Sequence, residues 1–214
     1  MIPWITGWAL SVLAAGGGGS DAAPVSLTEA REFPSAQAGK TLRFVVQFDR
    51  LVESWDPLMT RFAPEEWVAF SAWADESFTW EPAVFRRPFA RLFVAADSRL
   101  VPALERAERF RRFEVEGVCR AVLGGDPWFE VQHLTPLEEF VGEGTLVTIQ
   151  RASEALQQGR FEIAFDLLER AKLGPLPAHA RDGIDRLKAS FETERLRWLD
   201  RRRASDPARG RILR

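Results

Sequence analysis

The chain has 214 residues, 46% of them hydrophobic, with 29 Lys and Arg against 31 Asp and Glu for a net charge of −2. This suits one medium domain or two small ones of ordinary globular composition. Sixteen Phe and eight Trp stand beside no Tyr, which excludes a phenol as acid, base or nucleophile. The single cysteine, Cys119, excludes an intramolecular disulfide framework and a cysteine-rich zinc site.

Residues 1–20, MIPWITGWALSVLAAGGGGS, carry no charged side chain. They read as a secretory leader, which implies an exported or periplasmic protein; if translation starts elsewhere, the expectation is cytoplasmic. The run is too short and glycine-rich for a stable membrane span, which needs roughly 20 strongly apolar residues. Residues 16–40 are rich in Gly, Ala, Ser and Pro, so 1–38 is read as leader and flexible linker.

A first strand is predicted over KTLRFVVQFDRLV, with Leu42, Phe44, Val46 and Phe48 on one face and Arg43, Gln47 and Asp49 opposite. Pro57 and Pro64 break the pattern. WVAFSAWA, 67–74, is a second strand, 75–89 an irregular connection, and ARLFVAAD a short third strand. The period then changes. Leu100, Val101, Leu104, Ala107 and Phe110 fall at helical spacing behind Ser98 as N-cap.

Phe113, Val115, Gly117 and Cys119 share one side of a fourth strand, with Arg112, Glu114 and Glu116 on the other. A Gly124–Pro127 turn follows, and Phe129 and Val131 of a fifth strand pair with that apolar face. Cys119 is expected as a small buried hydrophobe rather than a reactive thiol. Residues 139–203 read as helical, divided at Gly159 and again at Gly174, Pro175 and Pro177, with Ile184, Leu187, Phe191 and Trp198 striping the last helix. Residues 204–214 read as a basic disordered tail; eight Arg and two Asp fall within 195–214.

The order strand, strand, strand, helix, strand, strand over residues 39–138 resembles the oligonucleotide/oligosaccharide-binding (OB) fold, a small Greek-key barrel. Gly117 stands where such a barrel bends its strand. In the helical part Ala152, Leu156, Gly159, Phe161, Ala164, Leu168, Ala171 and Pro175 resemble one tetratricopeptide-type hairpin; a single repeat is too few for a solenoid. These resemblances imply an α+β protein. A five-stranded OB-like barrel is followed by an α-helical hairpin within a three-helix C-terminal region.

No catalytic constellation emerges. The two histidines, His133 and His179, lie in different units, and no phosphate loop, nucleophile elbow or dinucleotide fingerprint occurs. Glu65–Glu66 and Asp75–Glu76 read as helix-start or loop acids. No enzyme, cofactor or metal is therefore expected. The OB resemblance directs attention to FRRPFARLF, where Phe85 and Phe89 interleave with Arg86, Arg87 and Arg91, and where Trp73 and Trp80 are candidates for the same face. The acidic balance of the rest of the chain opposes nucleic acid. The favoured reading is a non-enzymatic binding or scaffold protein that presents barrel and hairpin to a partner protein. Single-stranded nucleic-acid binding and an exported saccharide or small-ligand module are the alternatives.

Overall fold

The computed structural model describes residues 22–55 and 62–205. The leader-like segment, residues 56–61 with Pro57, and the basic tail beyond 205 lie outside the described residues. Chain order is β1 (Ala23–Pro24), α1 (Leu27–Glu32), α2 (Pro34–Gln37), β2 (Thr41–Val52), β3 (Trp67–Ala74), α3 (Pro82–Phe85) and β4 (Phe89–Ala95). Then follow α4 (Val101–Glu105), β5 (Arg112–Leu123), β6 (Asp126–Pro136), α5 (Glu143–Gln157), α6 (Phe161–Ala171) and α7 (Ala178–Ser205).

Five strands close into a barrel. β2 pairs antiparallel with β3 and β3 with β4; β4 pairs parallel with β6, and β6 antiparallel with β5. β5 returns antiparallel to β2 and closes the sheet. This is an OB-like order, and the expected α+β class holds. Leu42, Phe44, Val46, Phe48, Phe70, Leu92, Val94, Phe113, Val115, Cys119 and Phe129 fill the interior. Each of the larger side chains contributes about 1.5–3 kcal/mol by leaving water. Burial raises the pKa of the Cys119 thiol, as a small core residue should experience.

The β5–β6 hairpin turns through Gly124 (φ 62°) and Gly125 (φ 84°). Positive φ at both central residues matches the turn whose twist suits paired strands. β6 therefore resumes at Asp126, within the turn expected from sequence. At Gly117 the ladder slips by one residue, and a Cβ there would lie 3.0 Å from the Glu130 carbonyl oxygen. The glycine permits close approach at a bulge, as the bend reading anticipates.

Three elements depart from expectation. Residues 22–38, read as linker, carry β1, α1 and α2. Leu27 and Ala30 are buried in the barrel core, and Ser26 caps α1 by accepting the Glu29 amide at 3.0 Å. The helix expected over 98–110 ends at Glu105, because Phe110 is drawn onto the barrel at φ 72° with its amide donating to the Phe48 carbonyl (2.7 Å). Ser98 caps no helix; its hydroxyl accepts the Leu100 amide in a local turn. The supposed outer face of β2 is also covered: Gln47 and Asp49 are both buried.

In the C-terminal region α5 and α6 form a hairpin closed at Gly159 (φ 71°), where the Arg160 amide bonds the Ala155 carbonyl and the Gly159 amide that of Leu156. Ala152, Ala155, Ala164 and Ala171 are buried between the helices; their small side chains allow close approach. Ile184 and Phe191 of α7 complete this second core, and Trp198 packs on Phe161 at 5.3 Å.

An ionic joint ties the two halves. Arg112, on the strand face expected to be solvated, is buried. Its Nε and Nη2 donate to the two carboxylate oxygens of Asp75 at 2.6 and 2.7 Å, and Nη1 donates to the Glu139 carbonyl at 2.9 Å in the segment leading to α5. His179, at the start of α7, places Nδ1 3.9 Å from the same carboxylate.

Candidate binding cleft

The β3–β4 connection positions the site. Asp75, at its start, is held by Arg112. Gln47 of β2 donates its side-chain amide to the carbonyls of Asp75 and Ser77 (both 3.2 Å), and Thr79 donates to Gln47 Oε1 at 3.5 Å. Pinned at three points, the connection projects Phe78 and Trp80 away from the barrel, stacked with centroids 4.6 Å apart and planes 11° from parallel. The pair lies on α7 at Gly183. A Cβ there would fall 2.6 Å from Phe78 Cε1 and 2.9 Å from Trp80 Cζ2. Arg186, one turn further on, sets its guanidinium 5.1 Å above the Phe78 ring.

Between this connection and helices α5 and α7 lies a cleft of about 880 Å³. Phe78, Trp80 and Phe85 form one wall, and Leu146, Ile149 and Leu187 the other. Thr79, Gln150 and Ser153 supply polar atoms, and Arg86, Arg186 and Glu81 stand at the cleft as charged groups. Leu146, Gln150 and Ser153 recur at helical spacing, so α5 turns one continuous stripe toward the opening. Arg86 and Arg186 are exposed, and among the described residues neither takes part in an ion pair. Size and lining match a ligand-binding cleft, typically roughly 300–1,000 Å³ and mostly apolar with a few placed polar groups.

The seven residues singled out in the sequence are distributed among several environments. Trp80, Phe85 and Arg86 line the cleft. Arg87 is exposed beyond the cleft lining. Phe89 is buried in the barrel core, 6.3 Å from Phe129. Arg91 lies on another outer patch, its guanidinium 4.7 Å above Trp128, beside the stacked Phe62 and Phe93.

Trp73 is buried on the outer side of β3, because Phe70, Ala72 and Ala74 take the inner face. It stacks on Phe85 (5.6 Å) and Phe110 (5.4 Å) and donates Nε1–H to the Phe85 carbonyl at 3.3 Å. Arg109 lies 5.0–5.3 Å from all three rings and donates to Asp49 Oδ1 from Nη2 (2.6 Å) and Nε (2.8 Å). Asp49 sits at a bulge in β2, which aims its carboxylate into this pocket, where Ser71 also donates to it at 3.0 Å.

Sequence reasoning passed over Phe78, Gly183, Arg186, Leu146 and Ile149, and read Leu187 only as part of the apolar stripe of the last helix. One signal was present: an isolated glycine inside the helical run HARDGIDRLK marks close approach. What approaches it comes from about a hundred residues away and leaves no local trace. Among the described residues no helix is long and apolar enough to cross a membrane. No protein-family model, curated protein or solved structure matches the chain.

Proposed function

We propose that this is a non-enzymatic binding protein that holds a segment of a partner protein in the cleft between the β3–β4 connection and helices α5 and α7. One observation carries the reading: an open apolar cleft walled by stacked aromatics and a helical stripe, on a scaffold tied across the junction by the Arg112–Asp75 pair. Apolar, aromatic-lined grooves with a polar rim are where partner segments gain most of their binding energy. The single-strand nucleic-acid alternative finds less support. Only Trp80, Phe85 and Arg86 of the seven candidates meet at the cleft; Trp73 and Phe89 are buried and Arg91 serves another surface, so no extended track of base platforms and phosphate contacts supports that reading.

Selection of random peptides displayed against the folded protein tests the reading. Enriched peptides are expected to lose binding to Leu146→Glu, which places a charge on the cleft wall, and to keep binding to Arg120→Ala on the barrel strand β5. Enrichment indifferent to Leu146→Glu, or no enrichment, counts against the cleft as the binding site.

A further inference from the structure

We propose that the partner segment is acidic as well as apolar, its carboxylates held by Arg86 and Arg186; this rests on the cleft being a partner-binding site. The guanidinia stand on different elements, the turn after α3 and the N-terminal third of α7, yet both border the same apolar space. Arg86 Nε donates to the Pro82 carbonyl at 2.9 Å, and Arg186 Nε donates to the Asp182 carbonyl at 3.4 Å while its guanidinium lies over the Phe78 ring; each is held by its own element without being neutralised.

Some arginines of the fold are answered by carboxylates, Arg109 by Asp49 and Arg112 by Asp75 among them, while others, such as Arg91 over Trp128 and Arg111 over Phe140, stand on separate surfaces; Arg86 and Arg186 differ in bordering the same apolar cleft. Two exposed, unanswered guanidinia beside an apolar cleft therefore complement a ligand that brings both apolar side chains and anions. Glu81, also at the cleft, opposes an anionic segment, but one carboxylate is outweighed by two guanidinia.

A nucleic-acid strand also combines rings with anions, but it fits this surface less well. One face of Trp80 is already covered by Phe78, and the opposite wall is aliphatic. Two arginines also provide few contacts for a strand whose affinity grows with each phosphate neutralised.

Two fluorescein-labelled peptides of about 12 residues, sharing one Leu/Phe pattern and carrying either Asp/Glu or Lys at the remaining positions, provide the test by polarisation titration. The acidic peptide is expected to bind about tenfold more tightly at about 50 mM salt, with the difference shrinking as salt is raised. Arg86→Glu/Arg186→Glu is expected to abolish or invert the preference, and Arg86→Glu alone to reduce it. Circular dichroism establishes that each variant is folded, and the single variant serves if the double variant is not.

Equal affinity for the two peptides, or a preference unchanged in the variants, overturns the proposal while leaving a cleft that binds apolar segments. Failure of both peptides to bind counts against the cleft reading as well. A dT oligonucleotide of about 12 nucleotides that binds more tightly and competes at the same site replaces the peptide with single-stranded nucleic acid.

Discussion

Two arginine–aromatic assemblies meet at Phe85, and they are built for different ends. In the first, Trp73, Phe85 and Phe110 surround Arg109, whose charge is answered by the buried Asp49. No buried side-chain polar atom in it lacks a hydrogen bond, and the rings stack on one another, so the assembly is closed on its inner side. In the second, Phe78, Trp80 and Phe85 face Leu146, Ile149 and Leu187 across open space, with Arg86 and Arg186 unneutralised. The same residue types consolidate the barrel in one place and leave surface for a ligand in the other. Saturation of hydrogen bonds and charge separates them, not composition.

The largest expected effect lies in the closed assembly. Arg109→Met leaves the Asp49 carboxylate, 2% exposed, without its nearest countercharge. Removing one partner of a buried pair costs about 3–5 kcal/mol, and with Arg109 itself 47% exposed the lower end applies. A urea titration is expected to show a loss of about 3 kcal/mol, with much of it recovered in the Asp49→Asn/Arg109→Met double variant. A loss below about 1 kcal/mol would mean that water already screens Asp49 and the assembly is less closed than its geometry indicates.

Gly183→Ala probes the seam between barrel and helices. Alanine gains about 1 kcal/mol of helix propensity over glycine. Its Cβ would meet the Phe78 and Trp80 rings at 2.6–2.9 Å, and overpacking typically costs about 1–3 kcal/mol. The expected net is a loss of about 1 kcal/mol, together with a shifted tryptophan emission maximum as the stacked pair is displaced. A variant more stable than the parent with unchanged emission would show that the pair does not rest on α7.

Exposed ion pairs on the helices set a baseline for the closed assembly. Lys188 and Lys172 bond the Glu169 carboxylate and hold its pKa below the usual carboxylate range. Because the folded value is depressed, this contribution is complete above the unfolded pKa of about 4.3 and is lost as pH falls through the folded value. Lys172 is raised, chiefly by its bond to Asp185, with Glu169 adding to it. That contribution is full below about pH 10.4 and fades as pH rises through the folded value. Glu169→Gln is therefore expected to flatten the acid limb of a thermal-stability profile only slightly, as suits a pair in water. A large flattening would make these pairs comparable to the enclosed Arg109–Asp49.

The smallest effect is expected at the cleft itself. Arg86→Glu should change stability by less than about 0.5 kcal/mol, since it is exposed and has no carboxylate to lose. A loss above 1 kcal/mol by the same urea titration would reveal a structural role and blur the distinction between the two assemblies.

Legibility in the sequence followed locality. The apolar alternation of Leu42 to Phe48, the run 67–74, and the Gly-Gly turn between Leu123 and Asp126 were sufficient for the strands and the hairpin, because period and turn chemistry act between near neighbours. The short helix α1 was also written there, as the capping box Ser26-Leu-Thr-Glu29, and was hidden by the Gly- and Pro-rich composition around it. The extent of α4 was not legible: periodicity continues to Phe110, but the barrel claims that ring and sets its backbone to a positive φ.

Candidate site residues divided in the same way. Trp80, Phe85 and Arg86 reach the cleft, whereas Trp73 and Phe89, of the same chemical type, go inward. Strand alternation separates Trp73 from Ala72 but does not say whether the outer side of β3 meets water or another layer. That answer comes from Phe85 and Phe110, which belong to two different connections.

The sequence by itself determined the chain order of the five barrel strands, the β5–β6 hairpin and the helical C-terminal third, since these arise from hydrophobic period and turn residues acting over a few positions. Only the tertiary structure decided that β5 closes on β2, that Arg112 joins barrel to helices through Asp75, and that Phe78 and Trp80 rest on Gly183 of α7. These contacts join residues tens of positions or more apart. Their energy depends on burial and on which charges are left without partners, quantities that exist only once the chain has folded.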